Sequence, residues 1–282
     1  MSVSSLAHME LKHPWPFRSS FDPNNNWSTI DYSMTNPLWL NGSNYPCKHY
    51  HTQYRSMPVV DTLVAGSSYQ LQISGTAYHD GGSCQIAISY DGGQTWGVIH
   101  SIVGGCPLVP TYDFIVNPDL PSTSKALLSW TWINSKVGFR NLYQNCAIVR
   151  VNGSISRSIT LPALYLANVQ GTQCLTVEGT EPVYPVPGAS WQLGGSFSMY
   201  TSYPPVTVLA SCSIDYTRNV TIGPLSNDIA SLDVSTDPGP RIRMVRSVVE
   251  PSEFGRFVPI GTRFFARQHP GRLFWQMRSS MQ

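Results

Sequence analysis

A chain of 282 residues is long enough for one large β domain or two smaller ones. Only 12% of it is charged, Gly, Pro, Tyr and Trp are abundant, and no apolar run reaches membrane-spanning length; this excludes a spanning helix and suits a loop-rich β protein with a substantial core. Residues 1–240 carry a net charge of −4 and residues 241–282 a net of +6, so the main body offers no basic surface for nucleic acid and the basic character belongs to the tail.

The chain opens MSVSSLA, which lacks the charged and apolar regions of a complete signal peptide. Small Ser5 and Ala7 do occupy the −3 and −1 positions of a cleavage site, so residues 1–7 read as the end of a signal peptide and His8 as the first mature residue. From Met9 to Pro58 the text is irregular. Pro14, Pro16, Pro23, Pro37 and Pro46 forbid a long helix there, which predicts an extended segment with long loops. Within it the stretch KHYH would put His49 and His51 two apart on one face of a strand.

Strand signals then follow one another. Tyr69, Leu71 and Ile73 alternate with Gln70, Gln72 and Ser74, predicting a half-buried strand. Gln85–Tyr90 and Trp96–Val103 flank Asp91-Gly92-Gly93, a hairpin-type turn. Tyr112–Val116, Ala126–Ile133 and Cys146–Val151 complete a set of short strands whose spacing is that of an all-β, antiparallel β-sandwich with long loops. Residues 152–240 are expected to add loops and extra strands to the same domain, which would run from 8 to 240. Beyond Pro238-Gly239-Pro240 the text turns Arg-rich, and residues 241–282 read as a basic, flexible tail.

Six cysteines, none in a C-x-x-C pair, read better as disulfides of a secreted, extracellular protein than as a zinc ribbon or redox motif. Sequons at Asn26, Asn41, Asn152 and Asn219 agree with a secretory route and glycosylation.

The chemistry centres on GTAYHDGGSCQIAISYDGGQTWGVIHSIVGGCP, residues 75–107, which sets His79 on a glycine-rich loop. If cleavage follows Ala7, His8 offers its α-amine and a ring nitrogen. With the ring of His79 this makes three nitrogens in a T, the tetragonal arrangement that Cu(II) favours. The amine must lose a proton to bind, so the metal would bind more weakly in acid. Tyr143 would lie beneath as a distant axial group. His49 and His51 compete as ligands but lack so sharply shaped a setting, and His100, inside an alternating strand, reads as structural.

The stretches HMELKHPWPF, NPLWLNGSNYPCK, GTAYHDGGSCQIAIS, WGVIHSIVGGCP, YDFIVNPDLPSTSKALLSWTWINSKVGFRNLYQNCA and GTQCLTVEGTEPVYPVPG, in that order, resemble the fungal chitin-active lytic polysaccharide monooxygenases of auxiliary activity family eleven. The resemblance covers about residues 8–190. It implies an immunoglobulin-like or fibronectin-III-like β-sandwich with a flat copper-bearing face. His8 and His79 would brace one copper ion, Tyr143 would be the axial tyrosine, and Ala77 the small residue crowding the opposite side. A reductant with O2 or H2O2 would serve oxidative cleavage of β-1,4 links in chitin, on a monomer without a membrane partner.

Two departures from that pattern matter. Asn141 stands two positions before Tyr143, where the family carries an acidic residue; an amide still donates a hydrogen bond. With MSVSSLA retained, His8 has no free amine, and one nitrogen of the brace is lost. Six cysteines permit fifteen pairings; Cys84 is expected to pair with Cys106 beside His79, and Cys47 with Cys146 and Cys174 with Cys212 is one arrangement of the rest, which stays open. A non-catalytic secreted sandwich that binds carbohydrate or copper is the rival reading. A hydrolytic glycosidase would need two carboxylates across a cleft, and no pair stands out.

Overall fold

A computed structural model describes residues 8–136, 141–154, 158–169, 174–206, 217–223, 267–269 and 272–274. The strands in chain order are β1 (Met9–His13), β2 (Asp61–Val64), β3 (Ser68–Gly75), β4 (Gly82–Ser89), β5 (Gly97–Val103), β6 (Thr111–Ile115) and β7 (Thr123–Asn134). They continue as β8 (Leu142–Asn152), β9 (Ile159–Pro162), β10 (Trp191–Leu193), β11 (Asn219–Ile222), β12 (Arg267–His269) and β13 (Arg272–Phe274). Among the described residues the helical segments are short 3-10 turns, and none is long and apolar enough to cross a membrane.

Two sheets form an all-β sandwich. A three-stranded sheet has the order β1-β3-β6, and a six-stranded sheet the order β10-β5-β4-β7-β8-β2. Between them Leu11, Leu71 and Ile73 of the small sheet meet Ile86, Trp130, Trp132 and Tyr143 of the large one. The strands expected from alternation coincide with β3 to β8. Two expectations are corrected. The segment after His8 is not irregular from its start, because Met9–His13 pairs with β3, Met9 opposite Gly75. Nor is the sandwich wholly antiparallel: the edge pairings β2–β8 and β10–β5 are parallel.

The long loops are a third layer. Every residue of β4 and β5 is buried, where a two-layer sandwich would leave alternate ones wet. On the outer face Phe17, Cys47, Trp96 and Leu164 cover Ala87, Leu127 and Ile148. Polar side chains on that face serve loop backbone: Gln85 accepts from the Tyr165 amide at 3.0 Å and Gln144 from the Cys47 amide at 2.8 Å. Disulfides join Cys84 to Cys106 and Cys47 to Cys146, as expected. Cys174 is also disulfide-bonded, and the expected partner Cys212 lies outside the described residues.

The stretch KHYH is not a strand. It lies in a kinked 3-10 turn, Cys47–Gln53, where Lys48 and His49 take left-handed conformations (φ 53° and 70°), and a ring nitrogen of His51 sits 3.1 Å from the Pro46 carbonyl oxygen.

The chain forms two compact units, Met1–Val234 and Ser235–Gln282. In the second, β12 and β13 pair as an antiparallel hairpin, Arg267 opposite Phe274.

Candidate metal centre

His8 leads directly into β1. It is 6% exposed and lies in the wall of a cavity of about 720 Å³ that Asn36, Trp39, Lys48 and Asn141 also line. His79 comes from the loop joining β3 to β4, where four consecutive residues have positive φ: His79 at 47°, Asp80 at 60°, Gly81 at 85° and Gly82 at 135°. Glycines suit the last two positions; His79 and Asp80 are held there at a steric cost.

The two imidazoles meet. Their ring centroids are 4.9 Å apart with the planes tilted by 43°. Tyr143, on β8, lies 5.7 Å from the His8 ring and 6.4 Å from that of His79. Its position follows from sheet register, since Tyr143 stands opposite Trp132 of β7 and the two rings stack at 4.3 Å. Trp132 also stacks on His79 at 5.7 Å, so one indole supports both groups.

Burial first, then the neighbouring His8 and Lys136, lowers the pKa of His79 against the opposing pull of Asp80. This favours the neutral imidazole, the form that binds a metal. Burial raises the Tyr143 phenol, Asn141 pulling the other way, so the hydroxyl keeps its proton at neutral pH. Glu10 is pushed up to about 7 by burial and then by Asp31, with Lys48 opposing.

The structure therefore brings His8, His79 and Tyr143 together and sets Asn141 on the same cavity wall as His8. Ala77 lies half-buried in the loop of His79. His49 reaches the same cavity, with the His49 and His51 rings 5.4 Å apart. His100 is a core residue: 3% exposed, stacked on Phe114 at 5.0 Å, its Nδ1 2.8 Å from the Ser190 hydroxyl, its pKa lowered to about 4 by burial. Among the described residues no three His, Cys, Asp or Glu side chains converge to hold a metal, so the donor set of this site is two imidazoles and a phenol. Trp132 and Glu10 were not foreseen as neighbours of the site. The pair Trp130 and Trp132, two apart in a predicted strand, was the signal for an aromatic stack on one face.

No family model matches the chain. It is 46% identical over 184 residues to AA11 family lytic polysaccharide monooxygenase A of Aspergillus fumigatus, covering 64% of this chain and 82% of that protein. It is 32% identical over 222 residues to an AA11 family lytic polysaccharide monooxygenase of Aspergillus oryzae, and 31% identical over 216 residues to AA11 family lytic polysaccharide monooxygenase B of Aspergillus fumigatus. Those matches cover 68% and 64% of this chain but only 49% and 48% of the two relatives, so the chain spans about half the length of each.

Proposed function

Because the chain belongs to the AA11 family of lytic polysaccharide monooxygenases, we propose that His8 and His79 hold one copper ion with which the protein cleaves β-1,4 links of chitin oxidatively. The observation that carries this reading is the approach of two imidazoles to 4.9 Å beside a buried phenol, from three segments far apart in the chain. The donor set suits copper: two ring nitrogens, and a third nitrogen from the amine of His8 once residues 1–7 are removed. Copper bound there would supply one-electron redox chemistry toward O2 or H2O2, drawing on an external reductant.

The chain's own groups do the rest. His79, neutral through burial, offers its ring without first losing a proton. Tyr143 would stand beside the ion as a protonated phenol, and Trp132, stacked on it at 4.3 Å, fixes its tilt. Asn141 offers an amide, so it can hold an oxidant or sugar hydroxyl by a hydrogen bond but cannot hand over a proton as a carboxylic acid would. Trp39, 63% exposed in the wall that His8 shares, supplies an aromatic face for a sugar ring. The catalytic domain of this reading is residues 8–240, secreted as a monomer and glycosylated at exposed sequons such as Asn41, with 241–282 a basic tail.

Asn141 also favours a second reading, a copper- or carbohydrate-binding sandwich without turnover. One experiment separates the two: secreted protein starting at His8 is incubated with β-chitin, copper and ascorbate. Oxidised chito-oligosaccharides are expected. Binding of copper or of chitin without products supports the second reading, and a mature protein that binds neither overturns both.

A further inference from the structure

We propose that Ser135 is a positioning residue for the metal centre, its hydroxyl holding the loop that presents His79. The inference rests on the copper reading above and goes beyond it, because Ser135 touches neither imidazole through its side chain.

Ser135 is the first residue after β7 and is 6% exposed. Its single hydroxyl proton faces two carbonyls, those of His79 at 3.3 Å and Asp80 at 2.9 Å. Its backbone amide donates to the next carbonyl, that of Gly81, at 3.2 Å. The Trp132 indole N–H donates to the same Gly81 oxygen at 3.2 Å. Three successive carbonyls of the left-handed run are thus satisfied by the end of β7, and Ser135 supplies donors to all three. Its own carbonyl accepts from the Gly179 amide at 2.9 Å, which anchors it from behind.

A left-handed His-Asp pair carries a steric cost, since the Cβ of each is crowded, even though these residue types enter that region more readily than most. Without the hydroxyl, the His79 and Asp80 carbonyls turn toward water and the run relaxes toward ordinary φ. That change rotates the Cα–Cβ bond of His79 and carries its ring away from His8. The residue before Ser135 acts on the other half of the site: the Asn134 side chain accepts from the Asn141 amide at 3.1 Å. Two consecutive residues at the end of one strand therefore set the angle of His79 and the position of Asn141.

The test uses the secreted chain that starts at His8, with Cu(II) affinity measured by competition titration and the ligand field by electron paramagnetic resonance. Ser135→Ala should weaken Cu(II) binding about tenfold and change the copper hyperfine splitting. Ser135→Thr, which keeps the hydroxyl, should restore both. Ser122→Ala is the control for lost stability. Its hydroxyl donates to the Gly153 carbonyl at 2.9 Å next to the opposite end of β7, and its loss should lower the melting temperature without moving either copper readout. If Ser135→Ala does not fold, Ser135→Val, the shape of the threonine variant without its hydroxyl, replaces it and should weaken binding with a changed spectrum relative to Ser135→Thr. Unchanged affinity and spectrum in Ser135→Ala, or in Ser135→Val where that is the variant available, overturns the proposal; so does an equal affinity loss in Ser122→Ala. An unaltered chain that binds no copper overturns the parent reading, and this one with it.

Discussion

Gly75 decides how closely His8 can approach the sandwich. It has φ 140°, and a Cβ there would overlap the His8 carbonyl oxygen and crowd Met9. Gly75→Ala should therefore cost about 2 kcal/mol or more, from backbone strain and from displacing the first residue of β1. Denaturant unfolding checks the stability, and a copper titration checks the displacement, which should weaken binding. A variant with full stability and full affinity would show that β1 tolerates the shift. At this scale the sequence displayed the proposed ligands and hid what holds them. His79 announced itself by its glycine-rich loop, whereas Tyr143, three residues before the expected strand Cys146–Val151, was singled out by the resemblance. Ser135 gave no such sign and Trp132 showed only its place in an aromatic pair, because their contacts with the His79 loop span 51 to 56 residues and no local spacing encodes them.

Strand β1 is the element on which the site depends, since it carries His8 and is an edge of its sheet. On one side it pairs with β3. Across the sandwich its Leu11 amide donates to Asn145 Oδ1 on β8 at 2.8 Å, in the interior. Asn145 is two residues from Tyr143, so the same strand end registers both the histidine and the tyrosine. Asn145→Ala leaves a buried amide without an acceptor, at a cost of roughly 1–3 kcal/mol. Hydrogen exchange at Leu11 should accelerate well beyond that at Ile73 in the paired strand. Equal acceleration at both would mean that Asn145 acts on the whole sandwich and not on β1. The element itself was poorly legible. MELKH is only five residues long and is followed by Pro14 and Pro16, so its alternation was outweighed by the prolines. The strands β3 to β8 were legible because Tyr69-Gln70-Leu71-Gln72-Ile73 and the text around Asp91-Gly92-Gly93 obey period two and turn chemistry. The left-handed kink at Lys48 and His49 was not, since neither is a residue that asks for positive φ.

Over the whole molecule, loops on the outer face of the large sheet turn strands that look half-polar into interior ones, while His100, opposite Ile86 in the register and stacked on Phe114 of β6, is buried between the two sheets. Its folded pKa of about 4 lies below the ordinary 6.5. The unfolded chain therefore takes up a proton on acidification before the folded protein does. The stability that His100 contributes is complete above about pH 6.5 and declines as the pH falls toward 4, by up to roughly 3 kcal/mol. Glu10 works in the opposite sense: its pKa is raised from 4.5 to about 7, so its contribution is present below pH 4.5 and is lost as the pH rises through 7. Between about pH 4.5 and 6.5 the two slopes oppose each other, and the metal-free protein should show a flatter profile than either group alone would give. His100→Phe removes one of them while keeping an aromatic ring against Phe114. Urea unfolding of the metal-free variant from pH 7 to pH 4 should then show stability rising on acidification through the Glu10 range. A variant whose profile stays as flat as the unaltered protein's would place the acid-sensitive group elsewhere in the core.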